Sequence, residues 1–276
     1  MPIPGLEKVV RKRSESYREN YWSWGIYGEP GSCKTRIVKD AIECGEFSPE
    51  RVLVIDSEYG DVSLGNLNVN IIHLAQATLD YNLNHPWLGF KRVVSELNRQ
   101  ARAAEPYPYD LIVLEGTSLI ADWCESWIVS KQKNKGPADD LAGLLDYRVL
   151  LNNVVAEFYN FKKVPVNKMI TARMRTDEIK DVSGEVQRIR MSPKFIPSLS
   201  SEFLAVWDIA TMAKFEVTNT GNQPKLTLTA APTPRSQNKD RYGILKHQEI
   251  DPDIGKIVRA LNMSVGYQSP IKQLTA

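Results

Sequence analysis

A glycine-rich motif constrains this chain more than any other feature of its sequence. The motif consists of Gly28, Glu29, Pro30, Gly31, Ser32, Cys33, Lys34 and Thr35. A short apolar and aromatic run, Tyr21 to Tyr27, precedes it, and a segment with helical character, Arg36 to Cys44, follows. A strand, a glycine-rich turn and a Lys-Thr pair that opens a helix are the context of a phosphate-binding P-loop. The sequence therefore predicts a nucleotide site formed by these eight residues.

Each part of this motif has a chemical role in a P-loop. Glycines let the backbone form a concave nest of amides around phosphate oxygens, and the helix N-terminus adds partial positive charge. Lys34 is predicted to reach the outer phosphates, and the Thr35 hydroxyl to bind a magnesium ion. Cys33 replaces the usual glycine before the lysine. A non-glycine is tolerated at this position if it already lies in the first helical turn, where φ is negative, although its side chain crowds the phosphates.

Composition sets broad limits on the protein class. With 276 residues and 42% hydrophobic content, the chain can build a sizeable core. Its 35 basic and 33 acidic residues give no net-charge signal for nucleic acid, so any basic surface must be local. Three cysteines without metal-ligand spacing favour a reducing compartment. The charged N-terminus is not typical of a signal peptide, and no apolar run approaches the ~18 residues of a membrane span. We expect a soluble cytoplasmic protein.

Apolar runs typical of strands alternate with segments of helical spacing after the P-loop. The predicted strands are Arg51–Glu58, Asn70–Leu74, Tyr109–Glu115 and Val166–Ala172, and the predicted helices are Trp87–Ala104, Ser118–Val129 and Tyr147–Phe161. This alternation predicts an α/β fold in which a mostly parallel sheet carries helices on both faces.

The pattern changes beyond Arg173, where short β-like runs are separated by turn residues. These runs are Glu185–Ile189, Ala205–Ile209, Lys214–Val217 and Lys225–Thr229, and they predict β-hairpins that extend the sheet. An amphipathic stretch, Ile254 to Leu261, and a polar tail follow. We expect an N-terminal basic arm or helix at residues 1–20, one core domain at 21–245 and a C-terminal appendage at 246–276.

Acidic residues follow two of the predicted strands. Asp56 and Glu58 come at the end of one apolar run, and Glu115 ends another. Ligands of open α/β sheets bind beyond the carboxyl ends of the strands. A P-loop site needs one carboxylate for the magnesium ion and another to activate the attacking water. We assign Glu115, together with Thr35, to the metal and Glu58 to the catalytic base. The alternative is that Asp56 and Glu58 only cap the loop after the strand.

Three segments, Ile26–Gly31, Val54–Asp61 and Asp110–Glu115, resemble those of the RecA-fold ATPases common in bacteriophage genomes. The resemblance covers about residues 20 to 245. It implies a RecA-like P-loop NTPase core with a β-hairpin extension, which binds and hydrolyses ATP with Mg²⁺. It also implies a ring or filament of identical subunits, and action on single-stranded DNA in phage recombination as an annealing or strand-exchange helper. A phage-encoded protein would work in the host cytoplasm.

The resemblance gives roles to two further segments. In RecA-like proteins the strand after the long helix ends in a residue that senses the γ-phosphate and leads into a DNA-facing loop, and Arg173 occupies that position. Lys239 and Arg241 resemble a late basic motif that reaches into the neighbouring subunit's site, where a cation neutralises charge on the γ-phosphate. An ordinary charged turn is the alternative for Lys239 and Arg241.

Contacts to DNA require flexible cations for phosphates and exposed aromatic rings for stacking. The candidate cations are Lys131, Lys133, Lys135, Lys180, Arg188 and Arg190. The tryptophans are more typical of a core than of a stacking surface.

Two rival functions stay open. One is an assembly or regulatory protein that holds nucleotide without turnover, in line with the departures from the hydrolytic pattern at Cys33, Glu115 and Arg173. The other is a small-molecule kinase, which would need an arginine-rich lid that the sequence does not clearly contain.

Overall fold

The structure, a computed structural model, describes most of the chain. The described residues are 21–103, 107–131, 144–180, 185–195, 197–216, 225–233 and 236–267. The predicted basic arm at 1–20 lies outside them, as do Lys133, Lys135 and the side chain of Arg188.

The described elements alternate between strands and helices through the first two thirds of the chain. The strands are β1 (Ser23–Gly28), β2 (Val52–Asp56), β3 (Asn70–His73), β4 (Leu111–Glu115), β5 (Asn167–Lys180), β6 (Val186–Pro193), β7 (Ile209–Glu216), β8 (Lys225–Thr229), β9 (Lys239–Asp240) and β10 (Gln248–Ile250). The helices are α1 (Lys34–Glu43), α2 (Leu74–Asp80), α3 (Pro86–Ala103), α4 (Thr117–Lys131), α5 (Leu144–Lys162), α6 (Pro197–Val206) and α7 (Ile254–Val265). Short 3₁₀ turns cover Pro49–Arg51 and Gly60–Leu64.

One mixed sheet organises the molecule, with β1 in its interior. The strand order is β10-β8-β7-β1-β5-β4-β2-β3, while β6 pairs with β5 and β9 with β7. The pairings from β7 through β1, β5, β4 and β2 to β3 are parallel, and those of β6, β8, β9 and β10 are antiparallel. The predicted mostly parallel sheet is confirmed, as are the hairpins, which the structure forms from β5 with β6 and from β7 with β8.

Buried side chains alternate between the two faces of the sheet. In β2, Leu53 and Ile55 pack with the helices α2 to α6, whereas Val52 and Val54 pack with α1 and α7 on the other face. Successive residues of a strand point to opposite faces, so this alternation buries both faces of the sheet. The prediction of helices on both faces is confirmed. A sheet buried on both faces holds the carboxyl ends of its strands at fixed positions.

The structure contradicts one predicted strand and lengthens another. The run Ala205–Ile209 was expected to be β-like, but α6 extends to Val206 and β7 begins only at Ile209. A proline at the start of α6 suits the first helical turn. Buried apolar residues such as Leu199 and Phe203 lie on one face of this helix, and their burial outweighs the local β-propensity. β5, expected to end at Ala172, continues as an antiparallel arm to Lys180.

The end of the chain packs against the same core. The Trp22 indole Nε1 donates to Asn262 Oδ1 at 2.7 Å, and Asn262 Nδ2 donates to Glu46 Oε2 at 3.3 Å. The apolar face of α7 packs on the α1 side of the sheet. The domain boundaries at residues 20 and 245 stay predictions. Among the described residues, no helix has the length and apolarity that crossing a membrane requires.

Candidate functional site

The glycine-rich motif connects β1 to α1 at the carboxyl edge of the sheet. A Cβ on Gly28 would collide with the side chain of Ser32 and the carbonyl oxygen of Ala213, so the close approach of the backbone requires glycine there. Gly31 has a φ of 79°, which glycine adopts without strain. The Ser32 amide donates to the Glu29 carbonyl at 3.1 Å and closes the turn. The predicted order of strand, turn and helix is therefore present.

Cys33 does not meet the condition under which a non-glycine is tolerated at this position. Its φ is 63° and its ψ is 25°, in the left-handed region rather than the negative-φ region of a first helical turn. The residue is the N-cap of α1 rather than part of its first turn, and its carbonyl accepts from the Ile37 amide at 3.0 Å. The chain must turn from the loop into the helix at this position, and a left-handed residue makes that turn. The same geometry explains why glycine is usual here.

The Lys34 side chain folds back over the loop. Its Nζ donates to the carbonyl oxygens of Gly28 at 3.1 Å and Glu29 at 2.8 Å. Burial lowers the pKa of Lys34, while the carboxylates of Glu115 and Glu58 act in the opposite direction. The ammonium group is thus held in the concave side of the loop by neutral oxygens, which phosphate oxygens would replace.

A hydrogen bond brings the two predicted metal residues together. Thr35, in the first turn of α1, donates from Oγ1 to Oε1 of Glu115 at 2.9 Å. Glu115 ends β4 and is only 7% exposed. Burial raises the pKa of Glu115 to about 7, although hydrogen bonds from Thr35 and Thr171 act in the opposite direction. A buried carboxylate beside a threonine hydroxyl is a suitable donor set for a hard divalent cation.

The predicted catalytic base contacts the predicted phosphate sensor. The Nε of Arg173 lies 3.0 Å from Oε1 of Glu58. Arg173 is level with Gly28 in the β1–β5 pairing, so this ion pair lies next to the P-loop. Gly116, directly after β4, has a φ of 79°, and a Cβ there would lie 2.5 Å from Cγ of Glu58. Gly116 therefore provides the space in which Glu58 approaches the end of β4.

Asp56 has a different environment from Glu58. Its Oδ1 accepts from the Glu58 amide at 2.8 Å, and its Oδ2 accepts from the Asp61 amide at 3.0 Å. The alternative that the sequence left open, an acid that caps the loop after the strand, describes Asp56. The Glu58 carboxylate instead points to Arg173.

The sequence analysis did not single out Gly116 and Thr171, which also shape the site. The Gly116 amide donates to Oγ1 of Thr171 at 3.0 Å, which ties the end of β4 to β5. A glycine directly after an acid-terminated strand was the available signal for Gly116. Thr171 gave no such signal, because its contact depends on the pairing of β4 with β5.

Lys239 and Arg241 lie near the amino-terminal ends of the parallel strands, whereas the P-loop lies at their carboxyl ends. β9 pairs with the first residues of β7, about 13 Å along the strands from the level of Gly28. Lys239 Nζ donates to carbonyl oxygens in and just after the last turn of α6, and burial lowers its pKa to about 8. Arg241 pairs with Asp208 at 3.0 Å. A role in a neighbouring subunit stays a prediction, and for Lys239 it would require release from α6.

Two open cavities flank the P-loop. One of about 590 Å³ follows α1 and includes Lys39 and Asp40 in its wall. The other, of about 480 Å³, lies between the loop and the β5–β6 arm and includes Met174, Met191 and Phe215. Both volumes are in the range of small-molecule sites.

Comparison with protein families identifies the class of this chain. A family model described as an AAA domain (AAA_24) matches residues 20–242. The chain belongs to this AAA domain family. The matched segment includes the P-loop, the ends of β2 and β4, and the β5–β6 arm, and the membership supports the predicted RecA-like P-loop ATPase class. It does not extend to a phage recombination role or to single-stranded DNA.

Solved structures resemble the chain at low sequence identity. A KaiC-like protein from Pyrococcus horikoshii is 11% identical, with 75% of this chain and 77% of that chain covered, at a TM-score of 0.37. The flagellar accessory protein FlaH from Methanocaldococcus jannaschii is 9% identical, with 83% and 84% covered, at a TM-score of 0.42. A search of curated proteins gave no match.

The left-handed backbone at Cys33 predicts that a glycine variant is at least as stable as the wild type and that a valine variant is less stable. A non-glycine residue pays about 1–2 kcal/mol for this conformation, and a β-branched residue fits it worst. Cys33→Gly should therefore leave the free energy of unfolding unchanged or raise it slightly, whereas Cys33→Val should lower it by about 1–2 kcal/mol. Urea unfolding without nucleotide measures both. A glycine variant less stable than the valine variant would show that φ at this residue is negative.

The raised pKa of Glu115 predicts that the nucleotide-free protein loses stability as the pH rises. A carboxyl with a folded-state pKa of about 7, against an ordinary 4.5, contributes stability that is complete below 4.5 and lost as the pH rises through 7. The free energy of unfolding should fall by about 3 kcal/mol over this interval. Glu115→Gln should remove that fall, and Glu43→Gln, on the exposed side of α1, should keep it. Urea unfolding at several pH values without Mg²⁺ is the measurement, and an unchanged profile in Glu115→Gln would contradict the assignment.

Proposed function

We propose that this AAA domain protein binds ATP with Mg²⁺ at the P-loop and hydrolyses it. The hydrogen bond from Thr35 to Glu115 carries the proposal, because it joins the phosphate loop to the acid at the end of β4. A magnesium ion between the Thr35 hydroxyl and the phosphates would have the Glu115 carboxylate beside it, to hold the ion directly or through water. Lys34 would exchange its carbonyl partners for the outer phosphates.

In the proposed reaction Glu58 accepts the proton of the attacking water. Its ion pair with Arg173 keeps the carboxylate in place next to the P-loop. A γ-phosphate is a stronger partner for a guanidinium than a single carboxylate, since it offers more oxygens and more charge. When ATP binds, Arg173 would move to the γ-phosphate and leave Glu58 available for water.

The proposed partner is single-stranded DNA, in phage-type recombination or replication. The β5–β6 arm starts directly after Arg173 and carries Lys180 and Arg190. Phe215, 40% exposed, lies on the cavity between this arm and the P-loop and supplies an aromatic ring for stacking. Four of the tryptophans cannot, because Trp22, Trp24, Trp87 and Trp207 are buried. Cations and an exposed ring beside the nucleotide site suit the phosphates and bases of a single strand.

A ring or filament of identical subunits completes the proposal. The side chain of Arg241 is 52% exposed, so its guanidinium can reach a second copy while it remains near Asp208. Such a cation would neutralise charge on the γ-phosphate of the neighbouring site. Lys239 would act with it only after release from α6.

A nucleotide-binding assembly protein without turnover is the second candidate. The ion pair of Glu58 with Arg173 favours it, since a base that stays paired with a guanidinium is a poor acceptor for a proton from water. The strained Cys33 at the usual glycine position also departs from the hydrolytic pattern.

Phosphate release from ATP, with and without single-stranded DNA, separates the two candidates. We expect turnover that DNA stimulates, loss of ATP binding in Lys34→Ala, and unchanged turnover in the control Lys256→Ala, an exposed lysine on α7. Glu58→Gln should slow turnover by at least about 100-fold while ATP still binds. Bound ATP without phosphate release under either condition would support the assembly protein. Loss of ATP binding in Glu58→Gln would contradict its role as the base.

A further inference from the structure

Three side chains that bind metals well converge at the ends of β2 and β3. Asp56 ends β2 and is level with His73, the last residue of β3, in the parallel pairing. Asp61 joins them from the 3₁₀ turn that follows β2. One carboxylate oxygen of each aspartate and one imidazole nitrogen lie within 4.8 Å of one another. Asp61 Oδ2 lies 3.7 Å from His73 Nε2.

These distances suit a metal ion after small side-chain rotations. Two ligands at about 2.1 Å from a tetrahedral ion lie about 3.4 Å apart. The pair of Asp61 with His73 is already close to that separation. Carboxylates alone would favour Mg²⁺ or Ca²⁺, but an imidazole shifts the preference to first-row transition ions such as Zn²⁺.

The second observation concerns the ring of His73. Its Nδ1 is buried and has no hydrogen-bond partner among the described residues. Nε2 is the ring nitrogen that faces Asp61, so an ion bound there would leave the proton on Nδ1 and take the imidazole as a neutral ligand. The surroundings are also negative, since Asp56 is 2% exposed and its charge helps to raise the pKa of Glu115. A cation here would compensate that charge.

We propose that Asp56, Asp61 and His73 bind a divalent transition metal ion, separate from the magnesium ion of the P-loop. The ion would fix the loop that carries Glu58, because Asp56 accepts hydrogen bonds from the amides of Glu58 and Asp61. Tyr59 lies over the ring of His73, with ring centroids 5.2 Å apart and planes 21° from parallel. The stacked ring limits rotation of the imidazole.

Titration of the nucleotide-free, Mg²⁺-free protein with Co²⁺ and with Zn²⁺ tests the site. We expect one equivalent to bind by calorimetry, with a visible Co²⁺ absorption band that Zn²⁺ removes and excess Mg²⁺ does not. His73→Ala and Asp61→Asn should each weaken binding by at least about tenfold. His73→Gln, which keeps a polar side chain of similar size, should do the same and guards against a loss caused by misfolding. His85→Ala should bind as the wild type does.

Two further variants separate this site from the nucleotide site. Lys34→Ala and Glu115→Gln should retain the Co²⁺ band, because neither residue belongs to the Asp56, Asp61 and His73 set. Loss of the band in either variant would place the ion at the P-loop and overturn the proposal. Absence of binding, or binding that survives His73→Ala and His73→Gln, would also overturn it. Since no nucleotide is present, none of these results depends on whether the protein hydrolyses ATP.

Discussion

The hydrogen bond between Thr35 and Glu115 is the contact on which the rest of the site depends. It connects the start of α1, which follows β1, to the end of β4, and β5 lies between β1 and β4 in the sheet. The contact forms because β1, β5 and β4 run parallel with both faces buried, so that their carboxyl ends lie at one edge. The buried Glu115 has a high desolvation cost when ionised, and a bound cation would remove that cost.

The ion pair of Arg173 with Glu58 connects the candidate site to the β5–β6 arm. It joins the loop after β2 to the strand that continues into the β5–β6 arm. A ligand that competes with Glu58 for Arg173 would change the surroundings of Glu58. It would also affect the start of the β5–β6 arm, which follows Arg173 directly. Nucleotide binding and the position of the proposed DNA-contacting arm would then be coupled through one guanidinium. The proposed metal at Asp56 and His73 would hold the opposite side of the Glu58 loop.

Sequence patterns predicted the fold class, the P-loop and the acids at the strand ends. The spacing of hydrophobic residues and the glycine motif suffice for this, because both depend only on residues that are close in the sequence. They did not predict the left-handed Cys33, since the conformation there depends on where α1 begins. The helix α6 was missed because core packing outweighs its β-prone residues. The pairing of Glu58 with Arg173 and the convergence of Asp56 with His73 depend on strand order and register, which single-sequence patterns do not contain.

An equilibrium titration with a fluorescent ATP analogue tests whether Thr35 and Glu115 form the metal half of a nucleotide site. The affinity is compared with Mg²⁺ and with EDTA, for the wild type and for Thr35→Ala and Glu115→Gln. We expect Mg²⁺ to strengthen wild-type binding at least about tenfold, or about 1.4 kcal/mol, and both variants to keep the EDTA affinity but lose this gain. An equal gain from Mg²⁺ in all three proteins would contradict this expectation.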